Sequence, residues 1–410
     1  MRERSTTPIL PEIVGQHAEE AAFQWLLRDR AVAATRYTLP EIVKLDGRLE
    51  ANLDGLRVAG DAGWEIVVEQ LLEHAEAGEA FVAAVLALEN GSDARFGVVI
   101  DKVGDAPASA RGLISACGWV SRDVATARLG ELVRSSNPIL RSAGIAGSVI
   151  HALDPGFALH DGITAEAPEL RRRAFAAVGR LARKDLLPAV APGLNDTDAA
   201  CRFWAAWSSA VLGDARGSQV LRRMAEFEGP FRERAAAAAG RILEHKAALG
   251  WHQQLVLDPG GRRAAIVAAG AIGDPALFPW LLDQMSDPGL ARLAGEALGT
   301  ISGLDVERDR LEGAGPPPAD DEDDPDDGLP WPNASAVARA VALRSLRPGS
   351  RHLRGAPTTP ESLHRVLREG SQAQRSAAVL ELLAQSHVIS IDIRSPGHLQ
   401  RRFLADVDGR

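Results

Sequence analysis

Imidazole and carboxylate groups crowd most closely in residues 150–161, where His151, Asp154, His160 and Asp161 have the chemistry to hold zinc or relay a proton. The spacing follows no ligand pattern such as His-x-x-x-His, and Asp154-Pro155-Gly156 is itself a sequence that turns the chain at a helix end. The stretch therefore reads as a structural turn. His17 with Glu20, and His245 with His252, fall on shared helix faces, but a pair of ligands is short of the roughly four that a structural zinc site takes. Cys117 and Cys201 lie in apolar helical patterns outside any Cys-x-x-Cys spacing, so no metal, cofactor or disulfide scaffold is expected, and a reducing compartment suits the chain. No Gly-rich phosphate loop, Ser/His/Asp order or catalytic carboxylate pair rises above chance. No catalytic residue is assigned, and the chain reads as a non-enzyme.

Aromatic and basic side chains offer binding chemistry instead. Trp204 and Trp207 lie three apart on one helix, placed to stack a base, to line a ligand groove, or to fill a wide gap between helical layers. Trp331 stands between two prolines beside an acidic run, where an aromatic would anchor in a partner's pocket. Arg347, Arg351 and Arg354, with Arg339, Arg344, Arg365, Arg368 and Arg375, form a basic face. Two readings of it stay open. Either an acidic protein or a nucleic acid binds there, or the neighbouring acidic run folds over it as an internal counter-charge.

The elements that position these residues are helices. With 46% apolar residues the chain is not mainly disordered, and its low aromatic content and Ala runs such as residues 235–239 favour closely packed helices over sheet. The middle of the chain repeats. Arg141-Ser142-Ala143 to Asp154 is echoed 31 residues later by Arg172-Arg173-Ala174 to Asp185, then by Phe203-Trp204-Ala205 to Asp214. Further copies open at Arg234-Ala235, Arg263-Ala264 and Arg292-Leu293-Ala294, at steps of roughly 26 to 32 residues. In each unit an Arg opens an Ala-rich helix with apolar residues at i, i+3, i+4 and i+7. Gly, or Gly273-Asp274-Pro275, ends it, because Gly accepts the left-handed cap and Pro cannot continue the helix. A second helix follows, as at residues 279–285. One such pair cannot bury both apolar faces, so stacked copies must share a continuous core.

The motif Arg…Ala-Ala-x-Ala-Leu-Gly-x-Ile-Gly-Asp-Pro followed by a Leu-rich helix resembles HEAT-like repeats of the phycobilisome-lyase type, most clearly at residues 262–299 and more weakly upstream to about residue 80. The resemblance implies an all-α helical-hairpin solenoid and carries no lyase residues across. The ends depart from the repeat. Residues 12–36 read as an amphipathic helix with Ile13, Val14, Ala18, Ala21, Ala22, Trp25 and Leu26 inward; Thr38-Leu39-Pro40-Glu41 reads as a capping box before a stripe of Ile42, Leu45, Leu49, Leu53 and Leu56. The expected organisation is an N-terminal helical cap (1–63), a repeat solenoid (64–312), a disordered acidic Pro-rich loop (313–332) and a C-terminal helical module (333–410). In that module Thr358-Thr359-Pro360-Glu361 reads as a second capping box, residues 372–385 as a helix and residues 388–393 as a short strand. Residues 45–64, 329–332 and 354–375 resemble an uncharacterised proteobacterial family whose members sometimes lie near type VI secretion genes, which implies a context and not a chemistry; His352 stands where that family's pattern has Tyr.

Charge is uneven: −7 in residues 313–332, +6 in 333–410, and −8 in the remainder of a chain whose total is −9. Such an acidic solenoid repels phosphate backbones. With no signal segment and no window of the ~20 apolar residues that a membrane span needs, a cytoplasmic location is expected. The leading expectation is a protein-binding scaffold or adaptor using the concave face of the solenoid. A ligand-handling, lyase-like enzyme using Trp204 and Trp207, or a HEAT-like nucleic-acid binder, are the alternatives.

Overall fold

Runs of Ala broken by single larger side chains leave helices little choice but to pack backbone against backbone. The computed structural model describes residues 10–315, 324–385 and 391–408. They hold twenty-two α-helices and one two-stranded hairpin, so the fold is all-α, with the helices packed as HEAT-like repeats. Two compact units are formed, residues 1–177 with 390–410, and residues 178–389. No helix among the described residues is long and apolar enough to cross a membrane.

The first unit holds α1 (Pro11–Ala33), α2 (Leu39–Ala59), α3 (Asp61–His74), α4 (Ala77–Asn90), α5 (Asp93–Asp105), α6 (Ala110–Trp119), α7 (Arg122–Leu132), α8 (Pro138–Ile150), α9 (Phe157–Ile163), α10 (Pro168–Arg180) as far as Ala177, and the last helix, Gly397–Asp408. Helices α1, α4, α6 and α8 make a central row, flanked by α3, α5 and α7. Helix α4 is apolar all round because it is enclosed: Ala80, Phe81, Ala83, Ala84, Val85 and Ala87 are wholly buried. Gly112 lets α6 ride directly on it, since a Cβ there would collide with the Ala77 carbonyl. Trp25 stacks on Phe81 and Trp119 meets Phe81 edge-on, with ring centroids 5.5 and 5.3 Å apart.

Helix α1 ends at Ala33, short of the expected residue 36, and Ile13 is exposed while Val14, Ala18, Ala21, Ala22 and Trp25 are buried. Thr38 and Glu41 form the expected capping box, in which the Glu41 carboxylate accepts the Thr38 backbone N–H at 2.8 Å and also its hydroxyl at 2.7 Å. Ile42, Leu49, Leu53 and Leu56 are buried beneath it.

The outer helices of this unit carry a repeat that the Ala pattern hides. Arg95 pairs with Asp61 at 2.5 Å and lies over Trp64, and Arg128 pairs with Asp93 at 2.6 Å and lies over Phe96. Asp, an aromatic three residues on, and an Arg from the next outer helix thus recur, tying each outer helix to the one before. The pairs are partly exposed, and the buried flank of each Arg against a ring adds packing to charge.

The second unit continues with α11 (Leu187–Val190), α12 (Ala199–Val211), α13 (Ala215–Glu226), α14 (Arg232–Ile242), α15 (His245–Val256), α16 (Arg262–Ile272), α17 (Phe278–Gln284), α18 (Ala291–Ser302), α19 (Ala334–Ala342), α20 (Pro360–Glu369) and α21 (Gln372–Ala384), which makes Gly397–Asp408 of the first unit α22. Its row is α12, α14, α16 and α18, with α13, α15 and α17 between successive members. Val337 and Val341 of α19 close the core over α17 and α18. Helix α21 lies against α12 and α14, with α20 packed on it, and the hairpin β1 (His352–Leu353) and β2 (Ala356–Pro357) pairs His352 with Pro357 and Leu353 with Ala356 beside α18.

Gly273 ends α16 in the left-handed conformation, φ 73°, and Asp274 then accepts from the N–H of Ala276, as the Gly-Asp-Pro sequence requires. The capping residue of α20 is Thr359, and its reciprocal partner is Ser362 instead of Glu361: Thr359 N–H donates to Ser362 Oγ at 3.0 Å and Ser362 N–H to Thr359 Oγ1 at 3.3 Å. The box slips because Pro360 takes the first helical position, where its missing N–H costs nothing. Of the expected strand at 388–393, residues 388–390 lie outside the described residues and 391–393 are not in a strand. The stretch read as one C-terminal module divides between the units: α20 and α21 belong to the second, whereas α22 packs on α2 of the first. There a buried ion pair, Arg28 Nε to Asp46 at 2.9 Å, takes the carbonyl of Ser395 at 2.8 Å and the N–H of Gly397 at 2.5 Å.

Candidate partner-binding surface

Three inner helices of the second unit end on one edge, and the chain itself covers that edge. Gly349 N–H donates to Asp274, His352 N–H to the Gly273 carbonyl at 2.8 Å, Arg354 N–H to Thr300 at 2.7 Å and Gly355 N–H to Ile301 at 2.9 Å. Arg351 donates to the carbonyls of Arg241 and of Leu243, the latter at 3.1 Å. Residues 349–355 therefore run across the C-terminal ends of α14, α16 and α18, satisfying carbonyls that a helix end leaves orphaned and setting positive charge at the negative ends of the helix dipoles. Glycine is required at Gly273 and Gly303 for a second reason: a Cβ would sit 2.5 Å from the His352 carbonyl oxygen and 2.8 Å from that of Arg354.

This relocates two of the three arginines expected on a binding face. Arg351 is an interior clasp, sharing the buried Glu381 carboxylate with Arg241 at 3.3 and 3.4 Å. Burial in this cluster pushes the Arg241 guanidinium down to about 10, against the pull of Glu381. Arg354 takes a positive φ of 55° and pairs with Glu369 at 2.8 Å. Arg347 remains exposed, as do Arg339, Arg344 and Arg365. Arg375 is wholly buried, donating to the Leu367 carbonyl at 2.8 Å, and burial lowers it to about 10. The basic face is thus smaller than its sequence, because helix ends and Glu381 draw two of its members inward.

The described part of the acidic stretch is likewise held, not free. Arg263 grips Asp326 with both terminal nitrogens, at 2.7 and 2.9 Å, and Asp326 is only 4% exposed. Arg292 reaches Asp324 at 2.5 Å and lays its guanidinium 4.8 Å over the Trp331 ring. Arg292 holds the Asp324 carboxyl below the usual carboxylate range, and Asp326 with Glu233 raises Arg263. The Trp331 carbonyl accepts from Gly313, and the ring lies so close to Gly315 that a Cβ there would stand 2.5 Å from it. Among the described residues the acidic stretch meets arginines that open the repeat helices α16 and α18, whereas the expected counter-charge was to the arginines of the C-terminal stretch. Residues 316–323 of the acidic run lie outside the described residues.

Trp204 and Trp207 meet edge-on at 5.5 Å, both half-buried. Trp207 packs on Gly179, where a Cβ would come within 2.7 Å of its ring. Trp204 belongs to a larger cluster: Phe203 stacks on Phe231 at 5.0 Å, and the exposed Arg234 lies 4.9, 5.3 and 5.3 Å from the Phe203, Trp204 and Phe231 ring centres. Beside it a pocket of about 360 Å³ opens between α12, α13 and the start of α14. Leu194, Val220, Met224, Phe227 and Phe231 supply its apolar wall, and Arg202, Arg223 and Arg232 its basic rim. Neither Trp lines it; Phe231 joins pocket and cluster. The place of Phe231 and Arg234 in this cluster was not read from the sequence, although Arg234, Arg263 and Arg292 recur at steps of 29.

The histidines do structural work. His151 Nε2 bonds to the Cys117 carbonyl at 2.7 Å, Asp154 accepts from Gly156 N–H at 2.9 Å, and His160 and Asp161 are exposed and 4.0 Å apart. His17 bonds to Asn52 at 3.0 Å, and His245 to Asp274 at 2.7 Å. His252 is buried edge-on to Trp280. Among the described residues no group of three or more His, Cys, Asp or Glu side chains is placed to hold a metal ion. Cys117, fully buried, has its thiol pushed up to about 12 by desolvation.

The family described as HEAT repeats matches residues 158–241, which run from α9 to α14. The match lies upstream of residues 262–299, where the motif is most regular. Comparison with curated proteins matches none. A crystal structure of an engineered protein from the Northeast Structural Genomics Consortium is similar over 92% of this chain and 95% of that one, at 14% identity and a TM-score of 0.33, too loose a likeness to align sites.

Proposed function

We propose that the chain is a non-enzymatic, protein-binding scaffold built on HEAT-like repeats. The observation that supports this most is that the repeat row of the second unit already receives a non-helical polypeptide segment, residues 349–355, through backbone groups at successive inner-helix ends. A stack that offers the same carbonyls and small residues at every step suits an extended chain better than a compact substrate. HEAT repeats commonly serve as protein-interaction scaffolds. Since the carbonyl edge is taken in cis, the partner's place is the opposite edge, where the inner helices begin. There Phe227 and Leu257, each directly after an outer helix, are 69% and 81% exposed. The resemblance at the chain ends adds type VI secretion as a context in which to seek the partner.

The test is affinity capture from native lysate, followed by reconstitution with the purified candidate, using the intact chain and a Phe227→Asp/Leu257→Asp double variant. Stoichiometric complex with the intact chain, and its loss with the variant, is expected. Co-purification of nucleic acid or a small molecule without any reconstitutable protein would defeat the scaffold reading.

A further inference from the structure

We propose that the pocket between α12, α13 and the start of α14 binds a small aromatic monocarboxylic acid, with its ring among Val220, Met224, Phe227 and Phe231 and its carboxylate on Arg223. This site goes beyond the scaffold reading and stands or falls apart from it.

An outer repeat helix needs one apolar stripe, and α13 has two. Gly217, Leu221 and Ala225, four residues apart, are its buried stripe, and Gly217 lies so close to α12 that a Cβ would collide with Ala210. Val220, Met224 and Phe227 form a second stripe at i, i+4 and i+7, and these three line the pocket. Val220 and Met224 are half-buried, and Phe227 is 69% exposed. Leu194 and Phe231 complete the apolar lining. The pocket is also built in advance. Arg232 donates from Nε to the Ala225 carbonyl at 3.1 Å and from Nη1 to that of Gly260 at 2.8 Å, and it pairs with Asp258 at 2.7 Å. It thereby ties the end of α13 to the start of α14. Arg202 donates to the Asp196 carbonyl at 2.5 Å and holds the turn before α12. These two arginines are framework, and neither is asked to bind. Phe231 is stacked on Phe203 at 5.0 Å, so its ring is fixed before any ligand arrives.

One cation of the lining is not used in this way. Arg223 is exposed, and its guanidinium has no hydrogen-bond or ion-pair partner among the described residues. A guanidinium offers a carboxylate two parallel charged bonds, which a neutral group cannot match. Glu228 is the one carboxylate among the lining residues, exposed and likewise unpaired among the described residues. It disfavours a second negative charge, and so excludes dicarboxylates and phosphate dianions in favour of a monoanion. The amide of Asn195, in the same lining and also unengaged among the described residues, offers a neutral contact beside the charged one. A volume of about 360 Å³ is at the low end of the ~300–1,000 Å³ range of ligand pockets, room for one ring with a short acid side chain. Two phenyl rings and the Met224 thioether favour an aromatic body over an alkyl chain.

The probe is 3-phenylpropionate, titrated into the full chain by isothermal calorimetry beside its neutral amide, 3-phenylpropionamide, and the dianion benzylmalonate. Saturable one-to-one binding of the monoacid is expected, with the amide and the dianion each weaker by about tenfold or more. Arg223→Gln should bring the acid down to the affinity of the amide and leave the amide unchanged. Met224→Trp, which fills the pocket, should abolish both. Circular dichroism and thermal unfolding show whether each variant keeps its fold, and the exposed Arg223 carries the test alone if Met224→Trp does not fold. Acid binding that fails to saturate at millimolar concentrations overturns the proposal. So does equal binding of acid and amide, or an acid preference that survives Arg223→Gln. Binding that persists in a folded Met224→Trp chain places the probe elsewhere and overturns the site. A dianion that binds more tightly than the monoacid overturns the ligand class. None of these results touches the scaffold reading, which rests on residues 349–355 and is tested by a protein partner.

Discussion

The carboxylate of Asp274 accepts the backbone N–H of Gly349 at 3.0 Å across 75 positions of chain. The same carboxylate, wholly buried, bonds to His245 Nε2 at 2.7 Å and to Ala276 N–H at 2.8 Å. A residue that reads locally as half of a turn therefore fixes the end of α16, the start of the preceding outer helix α15 and the returning C-terminal segment together.

Asp274→Ala strands three donors, each bonded to a charged acceptor. A cost of about 2–4 kcal/mol is expected, since bonds to charged groups are worth ~1.5–3 kcal/mol and buried donors left alone add to the loss. Urea unfolding measures it, and limited proteolysis between residues 344 and 352 should accelerate. An unchanged midpoint with an unchanged digestion pattern would refute the hub.

Left-handed residues follow most of the inner repeat helices: Ala152 (φ 52°), Ala182 (52°), Gly213 (92°), Gly273 (73°) and Gly303 (76°) come after α8, α10, α12, α16 and α18, whereas α14 ends in the extended Leu243. Alanine in this conformation is strained by about 1–2 kcal/mol, against roughly 0.5–1 kcal/mol of extra backbone entropy that a glycine loses on folding. Ala152→Gly and Ala182→Gly should each stabilise the chain by up to ~1 kcal/mol, seen as a raised Tm. A lowered Tm for both would show that the strain is relieved some other way.

His252 is buried against Trp280, and desolvation lowers its imidazole to about 4, against the opposing pull of a hydrogen bond to the Ala265 backbone. Its folded value lies below its unfolded one, so the unfolded chain binds the proton first. Its neutral burial is fully tolerated above about pH 6.5, and stability falls as pH drops from there towards 4, by about 3 kcal/mol in the limit at ~1.4 kcal/mol per unit. Urea midpoints at pH 7, 6, 5 and 4 should show a shallower decline for His252→Phe than for the unaltered chain. Parallel declines would clear His252 of any part in acid sensitivity.

Spacing in the sequence reveals what spacing controls. Arg263-Ala264 to Pro275 predicts helix, cap and turn because those depend on neighbours within one repeat, and α16 with Gly273 and Asp274 is built that way. For Trp331, Arg351 and Arg354, type and neighbours leave the choice open between a partner's surface and an internal contact. Their surroundings are set by carbonyls and carboxylates far along the chain: Leu243 and Glu381 for Arg351, Glu369 for Arg354, Arg292 for Trp331. The Arg28–Asp46 pair was hidden likewise, its third partner being Ser395. The motif reads more weakly towards residue 80 because the Ala pattern belongs to inner helices, whereas Asp61/Trp64/Arg95 and Asp93/Phe96/Arg128 repeat on outer ones.

Arg263 and Asp326 should respond unequally to mutation, although they form one pair. Asp326 has a side chain 6% exposed and takes both of its charged bonds from Arg263, whereas Arg263 is 28% exposed and also pairs with Glu233. Arg263→Ala leaves a buried carboxylate without its fork, which breaks a buried pair from its costly side; a loss of about 3 kcal/mol is expected. Asp326→Ala leaves an arginine with water and a second carboxylate, and about 1 kcal/mol is expected. The double variant should cost less than the sum, with a coupling of about 1–2 kcal/mol, as for residues in direct contact. Chemical unfolding of the four proteins in the cycle measures it, and Trp331 fluorescence reports separately whether the segment lifts from Arg292. Equal single losses with no coupling would mean that the acidic segment rests on the repeat without being held by it.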